Sequence, residues 1–324
     1  MKRLLLILLL TTAFANAQVV KNNGNLQVIG TQLCNQKGNP ITLHGMSYGW
    51  SCFHPSFYNK QTVKWLKKDW NCTVIRAAMG IEPDNGYLQN TKVSEKLITD
   101  VVDAAIANNI YVIIDWHSHN LNLKEAKDFF DRMSKKYGKF PNVIYEVVNE
   151  PDQESWEEVK AYSEEIIATI RKNDADNIIL VGSPHWDQDV NLPAENPIKN
   201  VTNVMYTMHF YAGTHKQWLR DRTDEAIQKG LPIFVSECAG MEATGDAAMD
   251  YVEWQKFIDW MDKNKISWVT WSVSDKDETC SVLKKGASAT GNWKTSDLKE
   301  SGIKTREYLK SYNEDGTVKT ASKN

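Results

Sequence analysis

Short apolar runs alternate with amphipathic segments along most of this chain. The apolar runs begin near Ile41, Thr73, Ile110, Asn142, Asn177, Val204, Leu231 and Ser267. Between them, residues 93–107, 125–137, 158–170 and 250–263 carry apolar side chains at helical spacing. Because eight such strand–helix units fit into about 270 residues, we predict an α/β fold of the (β/α)8, or TIM-barrel, type. An open doubly wound sheet is the alternative, although no G-x-G-x-x-G motif follows the first predicted strand.

Residues 19–40 have a different pattern. Gly24, Gly30 and Gly38 separate two short alternating runs around residues 26–29 and 31–34. This pattern predicts a β-hairpin that precedes the barrel and covers its bottom. No low-complexity linker follows, so residues 18–324 are predicted to form one domain that includes the hairpin.

The first 17 residues are typical of a secretory signal peptide. Lys2 and Arg3 precede an apolar run at residues 4–10, and a small-residue cleavage motif ends at Ala17. The apolar run is shorter than the roughly 20 residues that a membrane helix needs. We therefore expect a secreted protein, extracellular or periplasmic, with no membrane segment in its mature form.

The charge and the cysteine content of the chain limit the kinds of ligand and metal site that we expect. The net charge is -3, and acidic and basic residues are interspersed, which disfavours nucleic acid as a partner and favours a neutral ligand. The five cysteines include no C-x-x-C pair, so a structural zinc site is not expected. They allow at most two disulfides, and core or free thiols are the favoured interpretation. We expect a monomer without a cofactor.

Polar and aromatic residues concentrate where the predicted strands end. In a barrel of this type the active site lies at the carboxyl ends of the strands. The residues at these ends are His44, Arg76, 115–119, 149–151, His185, Trp186, 209–211, 236–238 and 271–276. They include five of the seven histidines, whereas core packing would scatter them. The pattern therefore favours an active site at this end of the barrel.

Glu150 and Glu237 end the fourth and seventh predicted strands, which face each other across the barrel mouth. Two carboxyl groups about 5 to 5.5 Å apart suit retaining glycoside hydrolysis, whereas a gap of roughly 6.5 to 9.5 Å suits inversion. We expect the charge of Glu237 to raise the pKa of Glu150 and keep it protonated as the acid. As a structural alternative, Glu150 is a helix-entry carboxylate and Glu237 a surface residue.

Seven stretches, two of which contain Glu150 and Glu237, carry a family resemblance. They are His44-Gly45, 74–79, 112–117, 148–151, 208–215, 235–237 and 271–276. With these motifs, the sequence resembles glycoside hydrolase family 5, in particular its bacterial endo-β-1,4-glucanases, from Gly24 to about Tyr312. The resemblance implies a single catalytic domain that cleaves internal β-1,4 bonds of cellulose or related β-glucans with retention of configuration.

The resemblance also assigns roles. It implies that Glu150 is the acid/base and Glu237 the nucleophile. The implied supporting residues are Arg76, His117, Asn149, His209, Tyr211 and Trp271. The implied sugar-binding residues are His44, Trp50, Trp186, Lys276 and Glu278.

Two positions depart from the family pattern. Relatives often have a tyrosine where this chain has Gly80, and Tyr87 and Trp50 are the candidates to replace it. Cys238 follows the nucleophile where relatives have tryptophan or a small residue, and it is expected to be buried, with a bond to Cys280 as the alternative.

Several alternatives stay open at this point. His117 and His119 form an H-x-H pair that could bind zinc. In metal-dependent barrel hydrolases such a pair normally opens the first strand, whereas here it lies on the third, so we expect no metal. His119 could equally be a loop or core residue, and Lys276 and Glu278 could form only a solvated ion pair. A mannanase, a mixed-linkage glucanase and a noncatalytic carbohydrate-binding barrel are the functional alternatives.

Overall fold

Eight parallel strands close into a barrel in the computed structural model, which describes residues 18–312. These barrel strands are β3 (His44–Tyr48), β4 (Val74–Gly80), β5 (Tyr111–His117), β6 (Val143–Glu146), β7 (Ile179–Val181), β8 (Val204–Tyr211), β9 (Ile233–Ala239) and β10 (Trp268–Val273), and they follow the two hairpin strands β1 (Gln27–Ile29) and β2 (Gln32–Cys34). The barrel order runs from β3 to β10 in sequence order, and β10 pairs with β3 to close it. The predicted (β/α)8 barrel is confirmed.

Helices cover the outside of the barrel. In chain order, the helices of the described residues are α1 (Val19–Asn23), α2 (Lys60–Trp70), α3 (Tyr87–Ala107), α4 (Leu123–Tyr137), α5 (Trp156–Arg171), α6 (Pro184–Asp187), α7 (Asn191–Glu195), α8 (Ala212–Gln228), α9 (Tyr251–Asn264) and α10 (Glu300–Ser311), of which α1 and α6 lie at the ends of the barrel. The four helical patterns found in the sequence correspond to α3, α4, α5 and α9. α5 begins with a capping box, in which Ser155 and Glu158 bond each other's backbone N–H groups.

Burial on both faces explains the apolar strand sequences. Every residue of β4, β5, β9 and β10 is buried, between the barrel interior on one side and the helices on the other. Charged residues inside such strands must find partners, because an unpaired buried charge is costly. Asp115 and Glu146 meet this requirement by each pairing with Arg76.

The N-terminal segment closes the bottom of the barrel. β1 and β2 pair in antiparallel fashion, and the N–H of Val28 donates to the side chain of Asn203, just before β8. Gln32 donates to the carbonyl of Asn264, at the end of α9. Both contacts lie at the amino ends of the barrel strands, which confirms the predicted hairpin at the bottom. Residues 19–23 form helix α1 and are not part of the hairpin.

The predicted signal peptide, residues 1–17, lies outside the described residues. Within residues 18–312, none of the helices has the length and apolar character required to cross a membrane. All five cysteines are free, so the alternative bond between Cys238 and Cys280 is not formed.

Gly45 allows β3 to approach β4 closely. A β-carbon at this position would lie 1.7 Å from the carbonyl oxygen of Val74, which belongs to the neighbouring strand of the closed barrel. Since neither backbone can move without disturbing the barrel, we expect Gly45→Ala to lower the free energy of unfolding by about 3 kcal/mol, as for severe overpacking. Denaturant unfolding measures this loss.

The control is Gly230→Ala. Gly230 has φ 95°, and a β-carbon added to it would meet no other atom within 4 Å, so this change introduces backbone strain without a collision. We expect it to cost about 1–2 kcal/mol. If Gly45→Ala costs no more than Gly230→Ala, the close approach of β3 to β4 does not require glycine.

Candidate active site

Glu150 and Glu237 meet at the carboxyl end of the barrel. Glu237 lies in β9, and Glu150 follows the end of β6 by four residues. One carboxylate oxygen of Glu150 and one of Glu237 lie within 4.8 Å of each other. This distance is near the spacing of about 5 to 5.5 Å required for direct attack and below the roughly 6.5 to 9.5 Å that accommodates a water between two carboxylates.

Arg76 is the cation that holds the buried carboxylates together. It has no exposed surface, and it pairs with Asp115 at 3.0 Å, Glu146 at 2.7 Å and Glu237 at 3.0 Å. The hydroxyl of Tyr211 donates to the other oxygen of Glu237 at 2.8 Å. Both oxygens of Glu237 therefore accept a hydrogen bond, which fixes the plane of its carboxylate.

His209 links Glu150 to the buried network. Its Nδ1 lies 2.8 Å from Oε1 of Glu150, and its Nε2 lies 2.8 Å from the hydroxyl of Ser236. That hydroxyl donates its only hydrogen to Glu146, which leaves Nε2 of His209 as the donor to Ser236. A second proton of this pair then belongs in the hydrogen bond between Nδ1 of His209 and Oε1 of Glu150, and the pKa of His209, which is raised well above its ordinary value, favours its presence.

The pKa values of the two glutamates are shifted in opposite directions. Burial, followed by the charge of Glu150, raises the pKa of Glu237 against the opposing effects of His209 and Arg76. Burial would also raise the pKa of Glu150, but the hydrogen bond and charge of His209 hold it below its ordinary value. The net pKa of Glu150 is therefore lowered and not raised as expected, because the argument from two carboxylates left out the contact between His209 and Glu150.

His117 and two tryptophans form an aromatic wall. The ring of His117 stacks on Trp271, with centroids 5.0 Å apart and an interplanar angle of 7°, and meets Trp50 edge-on at 4.2 Å. Its Nδ1 lies 2.8 Å from Asp115. Burial lowers the pKa of His117 well below its ordinary value, ahead of the charges of Arg76 and neighbouring histidines. The ring is therefore neutral.

Two cavities meet at Glu150. The first, of about 680 Å³, is lined by Glu237 and by the Trp50, His117 and Trp271 wall. The second, of about 580 Å³, is lined by His209 but not by Glu237. Other residues of the first cavity are Phe53, His54, Ser272, Ser274, Lys276 and Glu278, and those of the second are Trp186, Gln188, Thr214, His215 and Trp218. Together they form a cleft with aromatic side chains on both sides of Glu150.

Four of the five residues expected to bind sugar line this cleft. Trp50, Lys276 and Glu278 line the first cavity, and Trp186, which is 39% exposed, lines the second. Lys276 and Glu278 also form an ion pair with each other. His119 lines both cavities, and its Nδ1 lies 3.0 Å from the backbone carbonyl of Glu150, which makes it a residue of the site.

His44 does not belong to the site, so the expectation that it binds sugar is wrong. β3 begins at His44, whereas the sequence pattern suggested that this strand ends there. The ring lies at the amino end of the barrel, 1% exposed, and stacks on Tyr312 at 3.7 Å. Burial lowers its pKa to about 3, so His44 is a neutral packing residue.

The space at Gly80 is filled from the loop after β3. A β-carbon on Gly80 would lie 2.6 Å from the sulfur of Cys52 and 3.1 Å from the ring of Trp50. Tyr87, the other candidate replacement for the family tyrosine, is buried against Trp116 outside the cleft. Trp50 is therefore the aromatic residue at this position of the cleft.

Sequence reasoning did not assign roles to several residues of the site. They are Asp115, Glu146, Asp187, Ser236 and, around the cavities, Phe53, His54, Gln188, His215 and Trp218. For Asp115 and Glu146 a signal was available, since a charge within a fully buried strand requires a partner. Ser236 lies in β9, and His215 and Trp218 lie in α8, but an uncharged or surface-compatible side chain there gives no such signal.

Two groups of side chains have the spacing of a metal site. Glu146, Asp187 and His209 form one, and Glu150, His209 and Glu237 form the other. Arg76 already pairs with Glu146 and Glu237, and both ring nitrogens of His209 are in hydrogen bonds, so the donors suit proton transfer better than a divalent cation. His117 and His119 are part of neither group.

Comparisons with known proteins agree with this geometry. The family model "Cellulase (glycosyl hydrolase family 5)" matches residues 34–277. An endoglucanase of Clostridium saccharobutylicum is 43% identical over 89% of this chain and 66% of its own length. The chain thus spans about two thirds of this curated relative.

Solved structures are similar over nearly the whole described chain. A structure from Cytophaga hutchinsonii has a TM-score of 0.89 and 45% identity, covering 90% of this chain and 96% of that one. The catalytic domain of Thermobifida fusca endoglucanase Cel5A, solved in complex with cellotetraose, has a TM-score of 0.86 and 34% identity, covering 91% and 100%.

Proposed function

This chain belongs to the cellulase family, glycosyl hydrolase family 5, and from that membership we propose that it hydrolyses internal β-1,4-glucosidic bonds of cellulose or related β-glucans with retention of configuration. The observation that carries the proposal is the approach of a Glu150 oxygen to within 4.8 Å of a Glu237 oxygen, since this leaves no room for an attacking water between them. The names of its relatives, which are endoglucanases, support the substrate class.

In the first step, an oxygen of Glu237 attacks the anomeric carbon and forms a glycosyl ester. The bond from that carbon to the glycosidic oxygen breaks, and the proton shared by Glu150 and His209 passes to the departing oxygen. Arg76 and Tyr211 hold the attacking carboxylate in place through one hydrogen bond to each of its oxygens.

In the second step, Glu150 acts as the base. It accepts a proton from water, whose oxygen attacks the anomeric carbon and displaces Glu237. Glu237 carries no negative charge while it is part of the ester. Glu150 and His209 are then the groups that take up the proton from water. Two inversions at one carbon give net retention.

Asn149 is proposed to bind the sugar 2-hydroxyl. Its side-chain carbonyl accepts a hydrogen bond from Arg76, whereas its buried Nδ2 has no hydrogen-bond partner among the described residues. An unpaired buried donor beside the attacking carboxylate suits a sugar hydroxyl, and this contact strengthens toward the transition state.

The two cavities give the glucan chain a direction. The sugar that becomes attached to Glu237 must occupy the first cavity, because Glu237 lines only that one. Glu150 lies where the cavities meet, at the bond to be cleaved, so the departing portion of the chain occupies the second. Sugar rings pack their C–H faces on aromatic surfaces, which Trp50 offers on one side and Trp186 on the other. Binding on both sides of the cleaved bond supports endo action.

Substrate preference and stereochemistry test the proposal together. We expect release of reducing sugar from carboxymethylcellulose and barley β-glucan, with little from mannan or xylan, and we expect proton NMR to detect the β-anomer first. Preference for mannan would contradict the substrate, activity on barley glucan alone would indicate a mixed-linkage glucanase, and an initial α-anomer would contradict retention. Binding of cellooligosaccharides without hydrolysis would favour a noncatalytic barrel.

We further propose that the protein acts outside the cytoplasm as a monomer. The signal-like residues 1–17 support export.

A further inference from the structure

Asp187 is a fully buried carboxylate behind the ring of His209. Its Oδ2 lies 3.3 Å from Nε2 of His209 and accepts a hydrogen bond from the hydroxyl of Thr207. Its Oδ1 accepts the backbone N–H of Ser183 at 2.6 Å. The ring of His209 lies between Asp187 and Glu150, and both Asp187 oxygens already face protein groups, so Asp187 acts on a bound substrate through His209.

A left-handed turn holds this carboxylate in place. His185, Trp186 and Asp187 have φ angles of 62°, 55° and 60° in succession. The turn directs Trp186 into the second cavity and Asp187 into the protein interior. Each such residue costs roughly 1–2 kcal/mol, and strain of this kind persists where the surrounding contacts impose it.

Asp187 differs from the other acidic groups near His209. The other acidic groups that face the ring are Glu146 and Glu150. The titratable or charged residues further out are Asp115, Glu237, Arg76, His117, His119 and His215. Arg76 pairs with Asp115, Glu146 and Glu237. Within residues 18–312, the only ion pair found for Asp187 is with His209. Its charge is therefore compensated by His209 and not by Arg76.

The pKa of His209 reflects this arrangement. Burial alone would lower it, but Asp187, followed by the hydrogen bonds to Glu146 and Glu150, holds it well above its ordinary value. Burial also raises the pKa of Asp187 well above its ordinary value, and the charge of His209 and the hydrogen bond from Thr207 oppose this rise. The hydrogen-bond donors on both Asp187 oxygens favour its ionised form.

We propose that Asp187 is a positioning residue that keeps the shared proton on the Glu150–His209 pair up to alkaline pH. This inference rests on the proposed role of Glu150 as the acid. Because Nε2 of His209 already carries a hydrogen, a negative charge next to it stabilises the doubly protonated ring. The pair then retains the proton that Glu150 must deliver to the departing sugar.

The test replaces the charge with a neutral group of the same shape, Asp187→Asn. Loss of the charge lets the pair release its proton at lower pH, so the alkaline limb of the kcat/KM profile should move down by about 1–3 pH units. At the acidic end of the profile the rate should stay within a few fold of wild type. Proton–nitrogen NMR of the His209 ring should show the same downward shift of its titration.

Asp174→Asn is the matched control. Asp174 is also buried, at 2% exposure, and accepts a hydrogen bond from Tyr145, but it lies before β7 at the bottom of the barrel. We expect this variant to lose stability without moving the alkaline limb. If Asp187→Asn does not fold, Asp187→Ala removes the same charge with a smaller side chain.

Two results would overturn the inference. An unchanged alkaline limb and an unchanged His209 titration would mean that Asp187 carries its own proton and is neutral. A uniform loss of rate at every pH would mean that its role is purely structural. If the wild-type protein hydrolyses no glucan, the proposed function fails, whereas the NMR titration of His209 still tests Asp187.

Discussion

Glu237→Ala is expected to lower kcat on β-glucan by about 10⁴-fold or more, which corresponds to roughly 5 kcal/mol of transition-state stabilisation. The reason is that no other described carboxylate is placed to form the glycosyl ester. Glu146 and Asp115 are fully buried and paired with Arg76, and Glu150 is held by His209. Reducing-sugar assays with carboxymethylcellulose measure the loss.

Azide distinguishes the two glutamates by the product that it forms. In Glu237→Ala, azide can enter the space of the carboxylate and displace the leaving sugar once, which gives an α-glycosyl azide. In Glu150→Ala, the ester still forms from a substrate with a good leaving group, and azide then attacks it to give a β-glycosyl azide. The exchange of these two products would contradict the assigned roles.

The exposed Glu157, in the first turn of α5, provides the matched control. Glu157→Ala should leave the rate unchanged and yield no azide product. Near-wild-type activity in Glu237→Ala would remove the double-displacement mechanism altogether.

Arg76→Met is expected to lower the free energy of unfolding by about 3–5 kcal/mol, the usual cost of leaving buried charges without their partner. Asp115, Glu146 and Glu237 would all lose their common cation. Activity should fall as well, since Glu237 loses the hydrogen bond to its attacking carboxylate. Denaturant unfolding at neutral pH measures the change in stability.

The pH dependence of this effect follows from Glu146. Burial would raise its pKa, but Arg76 and then His209 lower it to about 2. A lowered pKa in the folded state contributes stability that is present above the ordinary glutamate value and is lost as the pH falls toward 2. The difference between wild type and Arg76→Met should therefore shrink between about pH 5 and pH 2.

Arg306→Met is the control for this prediction. Arg306 makes two hydrogen bonds to Asp69, but the pair is partly exposed, with 28% and 20% of the side-chain surfaces accessible. Such pairs contribute about 1 kcal/mol or less. A loss in Arg76→Met no larger than in Arg306→Met would mean that the carboxylates find other partners.

The barrel could be predicted because its elements have distinct sequence periods. Strands buried on both faces are short apolar runs, and the helices around them have one apolar side. The sequence pattern does not predict where a strand begins and ends, as His44 shows. An apolar run that begins at Ile41 indicates burial, but it does not tell where hydrogen bonding to the neighbouring strand begins, so His44 was assigned to the wrong end of β3.

The main site residues could be predicted because they follow strands in sequence. Arg76 and Glu237 lie in barrel strands, and Glu150 follows β6 by four residues, so the fold places all three near the carboxyl end of the barrel. Asp187 could not, because it reaches His209 through a turn of left-handed residues that contains no glycine or asparagine as a signal. The sequence also does not predict the direction of the pKa shift of Glu150, because this shift depends on the position of the His209 ring.

The left-handed turn at residues 185–187 also limits how the protein could be adapted to high temperature. Glycine at such positions relieves backbone strain of about 1 kcal/mol each, so selection for heat tolerance would favour it there. The same change would loosen the positions of Trp186 and Asp187. In exchange for higher stability, the catalytic rate would fall. Left-handed residues remote from the cleft, such as Asn71 and Lys265 at the ends of α2 and α9, offer the gain without that exchange.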